Sequence, residues 1–193
     1  MSINDSTKLS IDQHRLFYQQ MRTTTPLQAV VATCWFGVLM YHDSSVFPKF
    51  WLVLFLAFLA FRYSVYLKIK AWDDDKIASQ INAVNHNGLI AAAINGLLWS
   101  VFYAYSFYHL PEQWMLLFAA FVIVLMASGF ITLAIHKQSF YAFFGFFIIP
   151  IVIFTFINYE KGSTLSNMAF MYVFLDLISC HCTKTSTELS LIA

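Results

Sequence analysis

Residues 114–135 read WMLLFAAFVIVLMASGFITLAI, from Trp114 to Ile135. These twenty-two residues carry no charge, and only Ser128 and Thr132 bring side-chain hydroxyls. An α-helix rises ~1.5 Å per residue, so the run covers roughly 33 Å. That matches a hydrocarbon core of about 30 Å. Helices in soluble cores average about 10–14 residues and seldom hold so long an apolar run. The stretch reads as a transmembrane helix, and the rest of the chain is read around it.

Composition agrees. Of 193 residues, 60% are hydrophobic and 11% charged, against about 25% charged in an ordinary soluble domain. Mean hydropathy is +0.66. Twenty-one Phe, ten Tyr and five Trp are more aromatic surface than a soluble chain of this size can bury. The net charge of +1 gives no sign of a nucleic-acid partner. The partner implied first is the lipid bilayer. Residues 1–21 lack the apolar region and cleavage site of a signal peptide.

Five more apolar runs flank the first: Pro26–Tyr41, Phe50–Leu67, Leu89–Tyr108, Phe140–Tyr159 and Leu165–Ser179. The runs are continuous and do not alternate, which favours helices over a transmembrane barrel. The expected fold is an all-α, polytopic, six-helix transmembrane bundle over residues 26–179. A polar segment, 1–25, precedes it and a short tail, 180–193, follows. In 1–25, Ser10 or Asp12 is placed to cap a short helix through Met21, with Ile11, Leu16 and Phe17 on one side. The alternatives are a solvated tail and a helix at the membrane interface. Pro26 suits a first helical turn. Residues 68–88 read as the longest polar loop, with a partly helical segment as the alternative, closed by Asn85-His86-Asn87-Gly88.

Lys and Arg mark the cytoplasmic side. Six spans put Lys8, Arg15, Arg22, Arg62, Lys68, Lys70, Lys76, Lys137 and Lys184 on one side, against Lys49 and Lys161 on the other. Both termini are then cytoplasmic, and Trp51, Tyr108 and Trp114 fall near the outer interface.

Few residues point to chemistry. Ala92, Gly96 and Ser100 recur every four residues, a narrow strip where another helix can approach closely, flanked by Asn95 and Trp99. These five form a packing surface or a pocket. Pro150 should bend its span near Phe146, as a hinge or as fixed shape. Arg62 and Asp176 are each the single charge within a span, at similar depth. Either they pair, or Arg62 snorkels to the headgroups and Asp176 sits in the interface. Cys34 reads as a small hydrophobe in its span. Cys180-His181-Cys182 lacks the partners of a zinc site. His86 reads as a solvated loop histidine, and Asp73–Asp75 lack the second acidic cluster that a metal site needs. The six histidines are scattered among loops. No catalytic constellation or cofactor motif is present.

Arg15-Leu-Phe-Tyr before the first span, Arg62-Tyr63, Asn95-Gly-Leu-Leu-Trp99, Phe140 and Pro150 together resemble the six-helix membrane sensor regions at the N-terminus of bacterial diguanylate cyclases and sensor histidine kinases. The resemblance spans about residues 14–178. It implies a signalling module of the bacterial inner membrane, acting with a second copy of itself or a separate signalling protein. After Asp176 no heptad pattern, GGDEF-type sequence or phospho-acceptor histidine box follows, so the output domain of that family is missing. A small transporter or channel subunit is the alternative reading, and an integral-membrane enzyme a third.

Overall fold

In a computed structural model of the chain, residues 5–111, 113–115, 117, 118 and 137–157 are described. They form four long helices: α1 (Asp5–His42), α2 (Val46–Lys70), α3 (Asp74–His109) and α4 (Lys137–Ile157). Among the described residues there is no strand. α1, α2 and α3 are each long and apolar enough to cross a membrane; the apolar part of α4, Gln138–Phe154, is shorter. Of the six expected spans, the first, second, third and fifth lie on α1, α2, α3 and α4. The sixth, Leu165–Ser179, lies outside the described residues, and so does the fourth beyond residue 118.

The first correction concerns the N-terminus. No short capped helix precedes the first span: α1 runs unbroken for 38 residues, and Pro26 lies in its interior. The cause is a face with alternating spacings of three and four. Ile11, His14, Tyr18, Met21, Thr25, Ala32, Trp35 and Leu39 are all buried, with half-buried Gln28 on the same seam. Such spacing keeps one stripe against a neighbouring helix over many turns. Pro26 stands on the opposite, exposed side. Leu16 does not join Ile11 and Phe17 inside; it is exposed.

The second correction concerns residues 68–88, which are not a loop. α2 ends at Lys70, and Asp73 caps the start of α3 by accepting from the Lys76 backbone N–H at 2.9 Å. Asp74 and Asp75 occupy the first turn, where negative charge opposes the helix dipole favourably. The three aspartates thus begin a helix, and Asn85-His86-Asn87-Gly88 lie inside it.

Contacts set the directions. His14 and Tyr18 meet Asn85 and Val84 at one end, while Ser45 meets Tyr105 at the other. α1 and α3 therefore run the same way, with α2 opposite. Gly88 lies near Ser139, and Phe107 against Phe154, so α4 also runs with α3. Between the ends sits an aromatic centre. Trp51 stacks on Phe102 at 4.0 Å and on Phe55 at 4.9 Å, and Trp99 meets Phe55 edge-on at 5.2 Å. Trp51 is 2% exposed and donates its indole N–H to the Leu98 carbonyl at 2.9 Å. It is a core residue.

Replacing Asp73 by Ala should cost about 0.5–2 kcal/mol, the usual cost of a lost N-cap. Thermal melting in detergent reads it, with Asp75→Asn as the comparison that leaves the cap in place. Equal melting of the two variants would refute the capping role.

Candidate functional site

The strip Ala92, Gly96 and Ser100 is buried, and it lies where α3 and α4 come closest. A Cβ placed on Gly96 would overlap the Phe143 carbonyl oxygen and stand 3.2 Å from the Phe147 nitrogen. These are backbone atoms, which cannot swing aside. Gly145, on α4 itself, has nothing within 4 Å of such a Cβ. Ser100 bonds within its own helix, donating to the Leu97 carbonyl at 2.9 Å. Asn95 and Trp99 face elsewhere: Trp99 packs on Trp51 and Phe55 of α2, and Asn95 lies one turn before it. The five residues of the strip and its flanks thus divide between two interfaces of α3. Asn95 is buried, and its Oδ1 accepts no hydrogen bond.

Arg62 does not snorkel outward. It falls on the buried seam of α2, three residues past Leu59 and four before Tyr66, and is 8% exposed. Its Nε has no hydrogen-bond partner, and no carboxylate lies within ion-pair distance among the described residues. Asp176, the expected partner, lies outside the described residues. Around Arg62, α1 and α3 are tied by polar contacts. Tyr18 donates its hydroxyl to the Val84 carbonyl at 3.4 Å, and His14 bonds to Asn85. Arg15 and Asp74 form an ion pair, exposed and so worth little by itself.

At the far end, the three-residue turn after α1 is fastened to α3. Asp43 accepts from the Ser45 backbone N–H at 3.0 Å, from the Ser45 hydroxyl at 2.9 Å and from Tyr105. His109 Nδ1 stands 3.2 Å from Asp43. The Tyr105 ring is stacked between Phe47 and His109, each at 4.1 Å. The Tyr105 hydroxyl, helped by Ser45 and His109, holds the Asp43 carboxyl below its ordinary value of 3.8, against some desolvation.

Sequence reasoning passed over this knot. It gave no role to Asp43 or Ser45, and took His109 as one of six scattered histidines. The signal available was a Tyr and a His four apart at the end of one helix, and an Asp in the turn between α1 and α2. Pro150 lies within α4, which continues to Ile157. His86 is exposed on α3. Cys34 is exposed on α1, not packed as a small core residue. Cys180-His181-Cys182 lies outside the described residues. Among the described residues, no three His, Cys, Asp or Glu side chains come together as metal ligands.

Set against known protein families, curated proteins and solved structures, the chain matches none of them. The likeness to bacterial sensor regions rests on the residues quoted above.

Two outcomes follow. Gly96→Leu should destabilise the protein by at least the ~1–3 kcal/mol typical of overpacking, and Gly145→Leu should do far less; melting of both variants in detergent decides it. The second concerns acid. A carboxyl whose folded pKa is depressed adds stability above its unfolded value and loses it as pH falls through the folded one. Wild-type melting should therefore fall more steeply than that of Asp43→Asn below about pH 4. Parallel pH profiles would remove Asp43 from the fastening of the turn.

Proposed function

We propose that the chain is a six-span protein of the bacterial inner membrane with both termini in the cytoplasm. It works as a sensor-like signalling module. It passes its state to a second copy or to a separate signalling protein. The observation that carries the membrane part is the outer surface of the helices. Leu27, Val30, Phe50, Val53, Phe61, Leu97, Val101, Ile149 and Ile153 are large apolar side chains left exposed. Soluble monomers rarely expose contiguous apolar patches beyond a few hundred Å². A bilayer accepts such a belt without cost. The uneven distribution of Lys and Arg supports the orientation.

The signalling part draws on the resemblance and on the aromatic cluster in the half of the bundle nearer the Asp43 turn. There Trp51, Phe55, Trp99 and Phe102 fill the space between α2 and α3 with ring contacts of 4.0–6.2 Å. A solute path through a transporter needs polar groups around an open midplane. The aromatic centre favours a module that moves its helices over one that moves a solute. The second reading, a small transporter or channel subunit, is favoured by the orphaned Asn95 oxygen beside that centre. Substrate flux into liposomes holding the purified protein would promote it. Cross-links in cells that never capture a second copy or a partner would remove the signalling reading.

Reporter fusions at residue 110 and at the C-terminus should report opposite sides of the membrane. Signals from the same side would refute six spans.

A further inference from the structure

A pocket of about 270 Å³ opens on the side of the bundle next to Arg62. Tyr18 of α1, Phe58, Phe61 and Arg62 of α2, and Asn87 and Ile94 of α3 take part in lining it. Its polar members, Tyr18, Arg62 and Asn87, gather toward one end, which Met21 and Val65 also line. α2 runs against α3, so Phe58 and Ile94 lie at one end and Arg62 and Asn87 at the other. α3 changes character at the same level: residues 74–87 are mostly polar and residues 88–109 mostly apolar. Arg62 therefore marks a polar boundary, and an apolar channel leads away from it. The wall of that channel is open to the side, with Phe61 66% and Ile94 41% exposed. Arg62 itself is more than nine-tenths buried, and its Nε is unpartnered. A buried cation is costly unless an anion meets it.

We propose that this pocket binds a single-chain amphiphile with a carboxylate head, a long-chain fatty acid entering from the bilayer. The carboxylate sits on the Arg62 guanidinium, and the chain lies along Phe58, Phe61 and Ile94. The planar guanidinium fork matches a carboxylate. The apolar end matches an acyl chain. The volume lies just below the ~300–1,000 Å³ usual for small-molecule sites, so it holds the head and the first part of one chain, the rest passing out through the open side. The proposal rests on the membrane-spanning reading and not on the signalling one.

The test uses the full chain in phosphatidylcholine nanodiscs, titrated with oleate and with methyl oleate as the uncharged probe. Oleate should bind saturably, above the background of empty nanodiscs. Methyl oleate should bind more weakly by on the order of tenfold or more, because a charge-assisted hydrogen bond is lost. Arg62→Gln should weaken oleate by a similar factor and Arg62→Lys by less; Ile94→Trp should block it. Equal binding of the two probes to the wild type would overturn the proposal, and that comparison needs no variant to fold. Oleate binding unchanged in Arg62→Gln would overturn it too. Phosphatidylglycerol displacing oleate from the nanodiscs would assign the pocket to phospholipid and overturn the fatty acid. Rescue of stability in the double swap Arg62→Asp with Asp176→Arg would give the guanidinium a partner within the protein and overturn the fatty acid as well. The reporter fusions judge the membrane reading separately, so failure there and failure of binding are told apart.

Discussion

α3 can lie against α4 only because residue 96 has no side chain. The Phe143 carbonyl occupies the place where a Cβ would stand. In a bilayer, helices gain little from hiding apolar surface from one another, since lipid is equally apolar. Close backbone approach and dispersion hold them together instead. The rest of α3 follows from that contact. With one side committed to α4 through Ala92, Gly96 and Ser100, its other side carries Asn95, Trp99, Phe102 and Ser106 toward α1 and α2. A helix with two buried sides shows little amphipathic contrast, and it has to sit in the middle.

The strip was legible because small residues at a spacing of four have one physical use on an apolar helix. The apolar runs were legible for the same reason of length. What could not be seen from runs alone was continuity. The seam of α1 passes through His14, Thr25 and Gln28, and these polar residues interrupt a run without interrupting a face. Counting apolar residues began the span at Pro26; counting threes and fours carries the helix from Ile11 to Leu39. The same error made a loop of residues 68–88, whose polar side chains are mostly those pointing away from the neighbours. Asp73 followed by Lys76 was the capping signal, hidden by the look of an acidic cluster.

Arg62 shows how far a pattern can settle a side chain. Its charge suggested a search for water or headgroups. Its spacing from Phe55, Leu59, Tyr66 and Ile69 places it on the seam that faces α1 and α3. Position on the helix decides over chemistry here, because turning Arg62 outward would turn four large apolar side chains out of the core with it. Those four side chains would lose their close packing against the neighbouring helices, and such packing is what holds helices together in a bilayer.

The polar groups facing the core do not all carry the same cost. Gln28, Thr25, Asn95 and Ser106 leave single neutral oxygens unmatched, each costing about 1–3 kcal/mol by protein mutational data. Arg62 is the charged member of that set among the described residues, and an unneutralised charge costs more than any neutral oxygen. A ligand changes a conformational balance only by binding one arrangement better than another. The aromatic centre offers no such difference, because its rings are already in contact. The Asp43 knot offers little, because its donors already surround the carboxylate. The end of the bundle around Arg62 is where an arriving anion gains most, and there α1, α2 and α3 all contribute to one pocket wall. An anion settling on Arg62 would favour whichever spacing of α2 against α1 and α3 best encloses it. The Gly96 contact holds α4 against α3, and His14 and Tyr18 tie α1 to α3 beside Arg62.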